Sequence, residues 1–359
     1  MSTSPPFKDL SLTNLVVQNI AAKAITTRRL EAALLKINNI ESSSLDVSET
    51  SVLSGPVFSG VAAISRYIVN PTLLAEAGVP IDGVFETIQS AVDAAVADGA
   101  SAIISKEILV SSEVYNENVT INGRGIVIKG LNPVTNFSLA PAVSIPQITG
   151  AVVINSDGPV EIVNMIMSGT VTVTSTATFS FFDPFALRTI TFVNCYIRGS
   201  NDITSLPPIP CLSLNGTAFV IMSGGRTQAQ GVSSGLSMND NSVLNVRQET
   251  EVRWGTLNDG SSMFVDRGNI FGQIVLNDTP TLRITHANLV NNSAGEPILD
   301  FGTSGATISI YNSNIEKTNT SDWAIGTGTI NYSNTGYRAG STTTVAGTVT
   351  LTQINGSTL

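Results

Sequence analysis

The residues able to do chemistry are few in this chain, and their spacing limits what they could support. There is one histidine, His286, and there are two cysteines, Cys195 and Cys211. A single imidazole leaves no histidine-based triad and no His-rich metal site. The two cysteines have no metal-ligand spacing around them, which is the pattern of two buried, reduced thiols. Carboxylates are the remaining candidates. Glu249 and Glu251 with Asp266 form the set best able to meet across neighbouring turns of a folded chain as a glycosidase-type pair. The bland alternative, outward-facing turn residues, carries more weight, and Asp266-Arg267 is expected to be a solvated turn. Asp240, Asp259, Asp266 and Asp278 look scattered and make no DxD-like cluster, so no calcium site is expected from them. Gly123–Gly125 has no following helix, and Ser223–Gly225 lacks the Lys-Ser/Thr pair of a phosphate loop. The expectation is no catalytic residue, no metal ligand and no cofactor.

Composition narrows the partners. The 359 residues carry 18 Lys+Arg against 27 Asp+Glu, a net charge of −9, which argues against nucleic acid and against an anionic membrane surface. Only 13% of residues are charged while 42% are hydrophobic, and the mean hydropathy is +0.24. No apolar run approaches the roughly 18 residues that span a bilayer. Ser, Thr, Asn and Gly fill the remainder, a mix suited to stacked coils with an apolar interior and a neutral polar exterior.

Two elements must position these residues. The first is a short amphipathic helix at about 84–98. Ile88, Ala91, Val92, Ala95 and Val96 recur on one face, and Gly99 supplies the stop. Strand-like pieces follow at Ile103-Ile104, Ile108–Val110, Val119–Ile121 and Ile126–Ile128. A helix before stacked strands would cover the unpaired edge and open interior of the first coil. The second element is a repeat. Val160, Ile162, Asn164 and Met167 set a spacing that returns at Ile190, Phe192, Asn194, Ile197, at Ile308, Ile310, Asn312, Ile315, and at Ile330, Tyr332, Asn334, Tyr337. Leu282, Ile284, His286 and Leu289 fit it too, which makes His286 a substitute for the turn asparagine. Looser matches start at Phe219, Leu244 and Met263. Two-residue steps put apolar side chains on one side of a strand, and Asn tolerates the left-handed turn that follows. The reading is an all-β solenoid of about ten coils, roughly 50 Å long at the ~4.8 Å strand spacing. Ile190, Phe192, Ile284, Ile308 and Ile310 should face its interior. Residues 346–359 read as terminal strand and tail that either cap the solenoid or pair with another subunit.

Residues 1–65 differ from the rest. Thr26 and Thr27 offer helix caps, and Leu30, Ala33, Leu34 and Ile37 form a stripe of about three turns between extended Ser/Thr-rich pieces. Such a segment has no core of its own and reads as an attachment arm, with Leu30, Leu34 and Ile37 as the oligomer interface. The absence of a recognisable secretory signal, with the two thiols, leads to an expectation of folding in a reducing cytosol.

The segments Arg66–Thr72 (RYIVNPT), Thr87–Ala100 (TIQSAVDAAVADGA), Val114–Ile121 (VYNENVTI) and Gly125–Leu131 (GIVIKGL) carry a resemblance. They resemble the opening of the pectin-lyase-like parallel β-helix superfamily, and most of all its virion members from large DNA viruses, with phage tail proteins as looser relatives. Ser112 and Glu113 stand where that pattern has a glycine before Val-Tyr. The resemblance covers about residues 66–130. It implies a single-stranded right-handed parallel β-helix over 66–345 with an N-terminal capping helix and an extended N-terminal arm. It further implies a non-enzymatic structural virion protein, spike- or fibre-like, bound to capsid proteins as a homotrimer. The alternative from the same superfamily is a carbohydrate-binding or carbohydrate-active β-helix acting on a surface glycan, such as a tailspike-like depolymerase or a pectinesterase- or lyase-like enzyme. Asp266, Arg267 and Phe271-Gly272 are similar to the esterase segment DFIFG, but Arg267, Gly268 and Asn269 intervene. Gln248–Trp254 offers Glu where the esterases have their second Asp.

Overall fold

The computed structural model describes residues 57–59, 62–64, 66–131, 145–177, 188–199, 209–228, 235–291, 293, 295–317, 322–339 and 345–354. Among them are two helices, α1 (Pro71–Ala77) and α2 (Ile88–Ala97), and one long sheet whose strands are paired in parallel. A separate antiparallel pair joins Val57–Ser59 to Ala62–Ile64, within the stretch expected to be an extended arm. Leu30, Leu34 and Ile37 lie outside the described residues.

Away from the two ends, strands are flanked by strands from the coil before and the coil after, so the sheet resolves into three ladders. The first runs from Arg66–Val69 through Lys106–Val110, Ile126–Gly130, Val160–Val163 and the opening of Ile190–Ile197. It continues through Phe219–Thr227, Val243–Arg247, Ser262–Asp266, Thr281–Thr285, Thr307–Tyr311 and Thr327–Ser333 to Thr348–Gln353. Ile128, Ile162, Phe192, Met222, Val246, Val265, Ile284 and Ile310 lie in one register column and are all buried. Ile190 and Ile308, also expected inside, are buried beside them. Full burial of such a side chain contributes roughly 1.5–3 kcal/mol, so every coil adds its own increment to the core.

The repeat's asparagine position is a left-handed corner. Asn164, Asn194, Gln248, Arg267, His286, Asn312 and Asn334 all have φ between 47° and 55° there. Gly224 takes the same place at 61°. Asparagine is favoured because its short amide tolerates this conformation and can bond to its neighbour one coil away. Asn194 Nδ2 donates to Asn164 Oδ1 at 3.4 Å, and Asn334 Nδ2 to Asn312 Oδ1 at 3.2 Å. One expected start is corrected by this column. The coil that begins at Phe219 in the sequence reading begins at Val220, which pairs with Ile190 and is buried, while Phe219 points outward. Glycine in the asparagine slot hid the register, and a slip of one residue exchanges the two faces of a strand.

The N-terminal end is closed by α2. Ile88, Ala91, Val92 and Ala95 are buried against the first coils, whereas Val96, expected on the same face, is 40% exposed. The Glu117 carboxylate accepts the Ile88 and Gln89 N–H groups at 2.8 and 3.0 Å, satisfying two orphan donors at the positive end of the helix dipole. The Gln89 side chain then imitates a strand. Its Oε1 accepts the Thr120 N–H at 2.6 Å, and its Nε2 donates to the Thr120 carbonyl at 3.1 Å. Tyr67 donates to Asp98 Oδ2 at 2.5 Å, tying the end of the helix to the first ladder. Val84–Phe85, assigned to the helix from sequence, instead pairs with Ile68-Val69. Ile103-Ile104 is a bend rather than a strand, with Ile103 89% exposed; Ser101 exchanges hydrogen bonds with Ile104 and turns the chain there.

Candidate functional site

Glu249, Glu251 and Asp266 arrive at one corner from different directions. Gln248 and Glu249 are both left-handed, at φ 50° and 60°, which widens the turn, and the Glu249 N–H donates to the Arg267 carbonyl at 2.6 Å. Past that corner begins the second ladder, which runs through Ile166-Met167, the ends of Ile190–Ile197 and Phe219–Thr227, and the openings of Glu251–Leu257 and Asn269–Leu276. Glu251 lies on its outer face, where Arg253 Nε bonds its carboxylate. Asp266 stands before its own corner, at the end of Ser262–Asp266. It lies 3.4 Å from Arg267 Nε and 3.5 Å from His286 Nδ1. The left-handed Arg267 separates Asp266 from the second ladder, so Glu251 and Asp266 are engaged by different arginines on the two sides of a turn. Gly272 serves packing: at φ 92° it lies so close to the Trp254 indole that a Cβ would come within 2.6 Å of the ring.

Asp240, Asp259 and Asp278, read as scattered, are in fact stacked. They share a second left-handed corner with Gly216, at φ 56°, 53°, 60° and 66°. The Asp240 carboxylate accepts the Gly216 N–H at 2.8 Å, and that of Asp259 accepts the Asp240 N–H at 3.2 Å. The residues before them form an amide ladder. Asn239 donates to Asn215, Asn258 to Asn239, and Asn277 to Asn258, at 2.8–2.9 Å. The carboxylates therefore hold one coil to the next. Asp157 behaves similarly: burial opposes its charge, but the Ser175 hydroxyl, the Thr176 and Ala177 N–H groups and Arg124 hold its pKa below the usual range. Among the described residues no three His, Cys, Asp or Glu side chains gather as a metal-holding group.

What the structure does assemble is a lateral strip of arginines and aromatic rings on the second ladder. Ile166, Tyr196 and Arg226 stack in register on its outer face. Ile145, Ile166 and Tyr196 make a small apolar cluster separate from the main core. The Arg226 guanidinium lies 4.3 Å from the Tyr196 ring centroid, and that of Arg198 lies 5.6 Å from it. Beyond them Arg253 sits 5.7 Å from the Phe271 ring, its register neighbour on the next coil. The Tyr196 ring is itself buried, and it is the guanidinium groups, planar and rich in N–H donors, whose chemistry suits sugar rings and anionic groups. Sequence reading missed this strip because its contacts join residues a whole coil apart. Only with the coil started at Val220 rather than Phe219 does aligning the repeat set Tyr196 beside Arg226.

Two kinds of buried group complete the inventory. Cys195 and Cys211 are free and buried, and burial pushes both thiols up to about 12, so neither presents a thiolate. Lys317 is 1% exposed and went unnoticed in the sequence because it occupies an interior strand position. Its Nζ donates to the Ser293 carbonyl at 3.2 Å and to that of Glu296, while Asn291, its register partner, donates to the Glu296 and Pro297 carbonyls. Burial lowers the lysine pKa, opposed by the Glu296 charge. Its work is to satisfy loop carbonyls that would otherwise lie buried and unbonded. No protein-family model, curated protein or solved structure matches the chain.

Proposed function

We propose that the chain is a single-stranded right-handed parallel β-helix acting as a non-enzymatic structural component of a virus particle. It is spike- or fibre-like, assembles as a homotrimer in the host cytoplasm, and is held to capsid proteins by residues 1–65. One observation carries the reading. The residues of the resemblance to β-helical virion proteins, Gln89 and Glu117 above all, are engaged in closing the first coil. The carboxylates of Asp240, Asp259 and Asp266 are likewise engaged with residues of the neighbouring coil. The test is peptide mass spectrometry of particles purified from the source, alongside particles made with residues 1–65 deleted. The protein is expected in the first and missing from the second. Normal incorporation of the truncated form would contradict the arm's role, and absence from all particles would contradict the reading itself.

A second reading is favoured by the strip of Tyr196, Arg198, Arg226, Arg253 and Phe271: binding of an acidic surface glycan along the solenoid's flank. Arg226→Ala is then expected to weaken binding of an acidic oligosaccharide at least tenfold, with no release of reducing ends by either protein. Unchanged binding would remove this reading, and turnover lost in Asp266→Asn would replace both readings with an enzyme.

A further inference from the structure

We propose that the free edge of Thr348–Gln353 is a docking surface for the same edge of a second copy of this chain, the two strands pairing antiparallel about a two-fold axis. Among the described residues this strand pairs on one side only, with Thr327 matching Thr348 and Ile330 matching Leu351. Ala346, Thr348 and Ile354 donate their N–H groups to Ala324, Gly326 and Tyr332 of the preceding coil. In a parallel strand the N–H and C=O of one residue point the same way and those of the next point oppositely. Val349, Leu351 and Gln353 therefore turn their backbone groups to the other side, where no strand lies among the described residues.

Burial points the same way. Leu282, Ile308 and Ile330 precede Leu351 in one interior column and are 1%, 0% and 0% exposed, whereas Leu351 is 39% exposed. The column is one layer short of closure. Two of the devices that usually blunt a strand edge are missing as well, since residues 339–359 contain no charged residue and no proline.

Charge selects the occupant. Copies of a chain with a net charge of −9 repel wherever acidic faces meet, and this edge is a neutral face on which two copies can meet without that cost. A partner recognised by charge has nothing to engage here. With the two-fold axis at Leu351, that residue stands opposite its own symmetry mate and Val349 opposite the partner's Gln353. The outward-pointing N–H and C=O groups then face each other, and the two apolar interiors join.

The experiment is sedimentation of the full-length protein at micromolar concentration beside Leu351→Lys, with circular dichroism as the check on folding. The assembly mass of the variant is expected to be half that of the wild type, with the same β spectrum. Where the edges of one arm-held group pair with those of a single other group, the ratio is the same whatever number of chains residues 1–65 hold together, so a failed homotrimer and a failed edge contact give different results. If Leu351→Lys loses the wild-type spectrum, Gln353→Lys carries the same test, because it leaves the apolar contacts in place. Equal masses for the wild type and a folded variant would overturn the proposal.

Discussion

The two ends of the solenoid solve the same problem by different means. At the N-terminal end the strand Val119–Ile121 would expose the N–H and C=O of Thr120, and the Gln89 amide takes both. Helix α2 covers the interior there, and Glu117 anchors that helix by its first N–H groups. At the C-terminal end Val349, Leu351 and Gln353 present the same kind of backbone groups with no such side chain among the described residues, and the interior column finishes on a part-exposed leucine. A parallel stack passes its unsatisfied edge from coil to coil until something non-repetitive ends it. The difference teaches that closure, unlike stacking, needs residues that break the repeat.

The comparison can be broken most forcefully at the cap. Ala91 is fully buried on α2, so Ala91→Asp places an unpaired charge against the first coil and is expected to cost about 3–5 kcal/mol in chemical denaturation. An unchanged midpoint would mean that the helix does not seal the interior. Next in size is a pair of substitutions in one column. Ile330→Ala should cost about 2–5 kcal/mol, and Leu351→Ala, measured on dilute protein, less than about 1 kcal/mol. Equal losses would erase the distinction between a closed coil and an open one.

A pH effect belongs to the capped end. Burial pushes the Tyr115 hydroxyl up to about 12, against hydrogen bonds with Ser111 that lower it. The unfolded phenol ionises near its ordinary 10.0, so between pH 10 and 12 the native state holds the extra proton and stability falls as pH rises. The loss amounts to roughly 2–3 kcal/mol over that window. Tyr115→Phe should flatten this part of an alkaline denaturation curve without abolishing the slope, because both cysteines titrate in the same direction. An identical slope in the variant would refute the assignment. The smallest effect is expected from Glu117→Gln, which keeps the shape but removes the charge at the helix N-terminus and should cost about 1 kcal/mol. A neutral result there would leave Gln89 as the main fastening of the cap.

The repeating part of this fold was legible in the sequence because its information is local. Apolar residues two apart followed by a left-handed-tolerant Asn define strand, face and corner within a few positions, and Ile190, Phe192 and Asn194 lie where that pattern puts them. His286 takes the corner at φ 53°, as the same pattern required. Information carried between coils was harder to read. Asp240, Asp259 and Asp278 looked scattered because they are neighbours only once the coils are stacked. Tyr196 meets Arg226, and Lys317 meets the carbonyls of Ser293 and Glu296, for the same reason. Phe219 was misplaced because Gly224 reaches the left-handed corner without being an asparagine. Ile103-Ile104 has strand composition but sits where Ser101 folds the chain back.

The contrast between the ends is tested most directly by amide hydrogen exchange followed over a dilution series of the full-length protein. Thr120, held by Gln89, should stay protected at every concentration. Leu351 should be protected when the protein is concentrated and should exchange freely once copies separate. A Leu351 amide that exchanges equally at all concentrations, or a Thr120 amide that exchanges as fast as an open edge, would contradict the account.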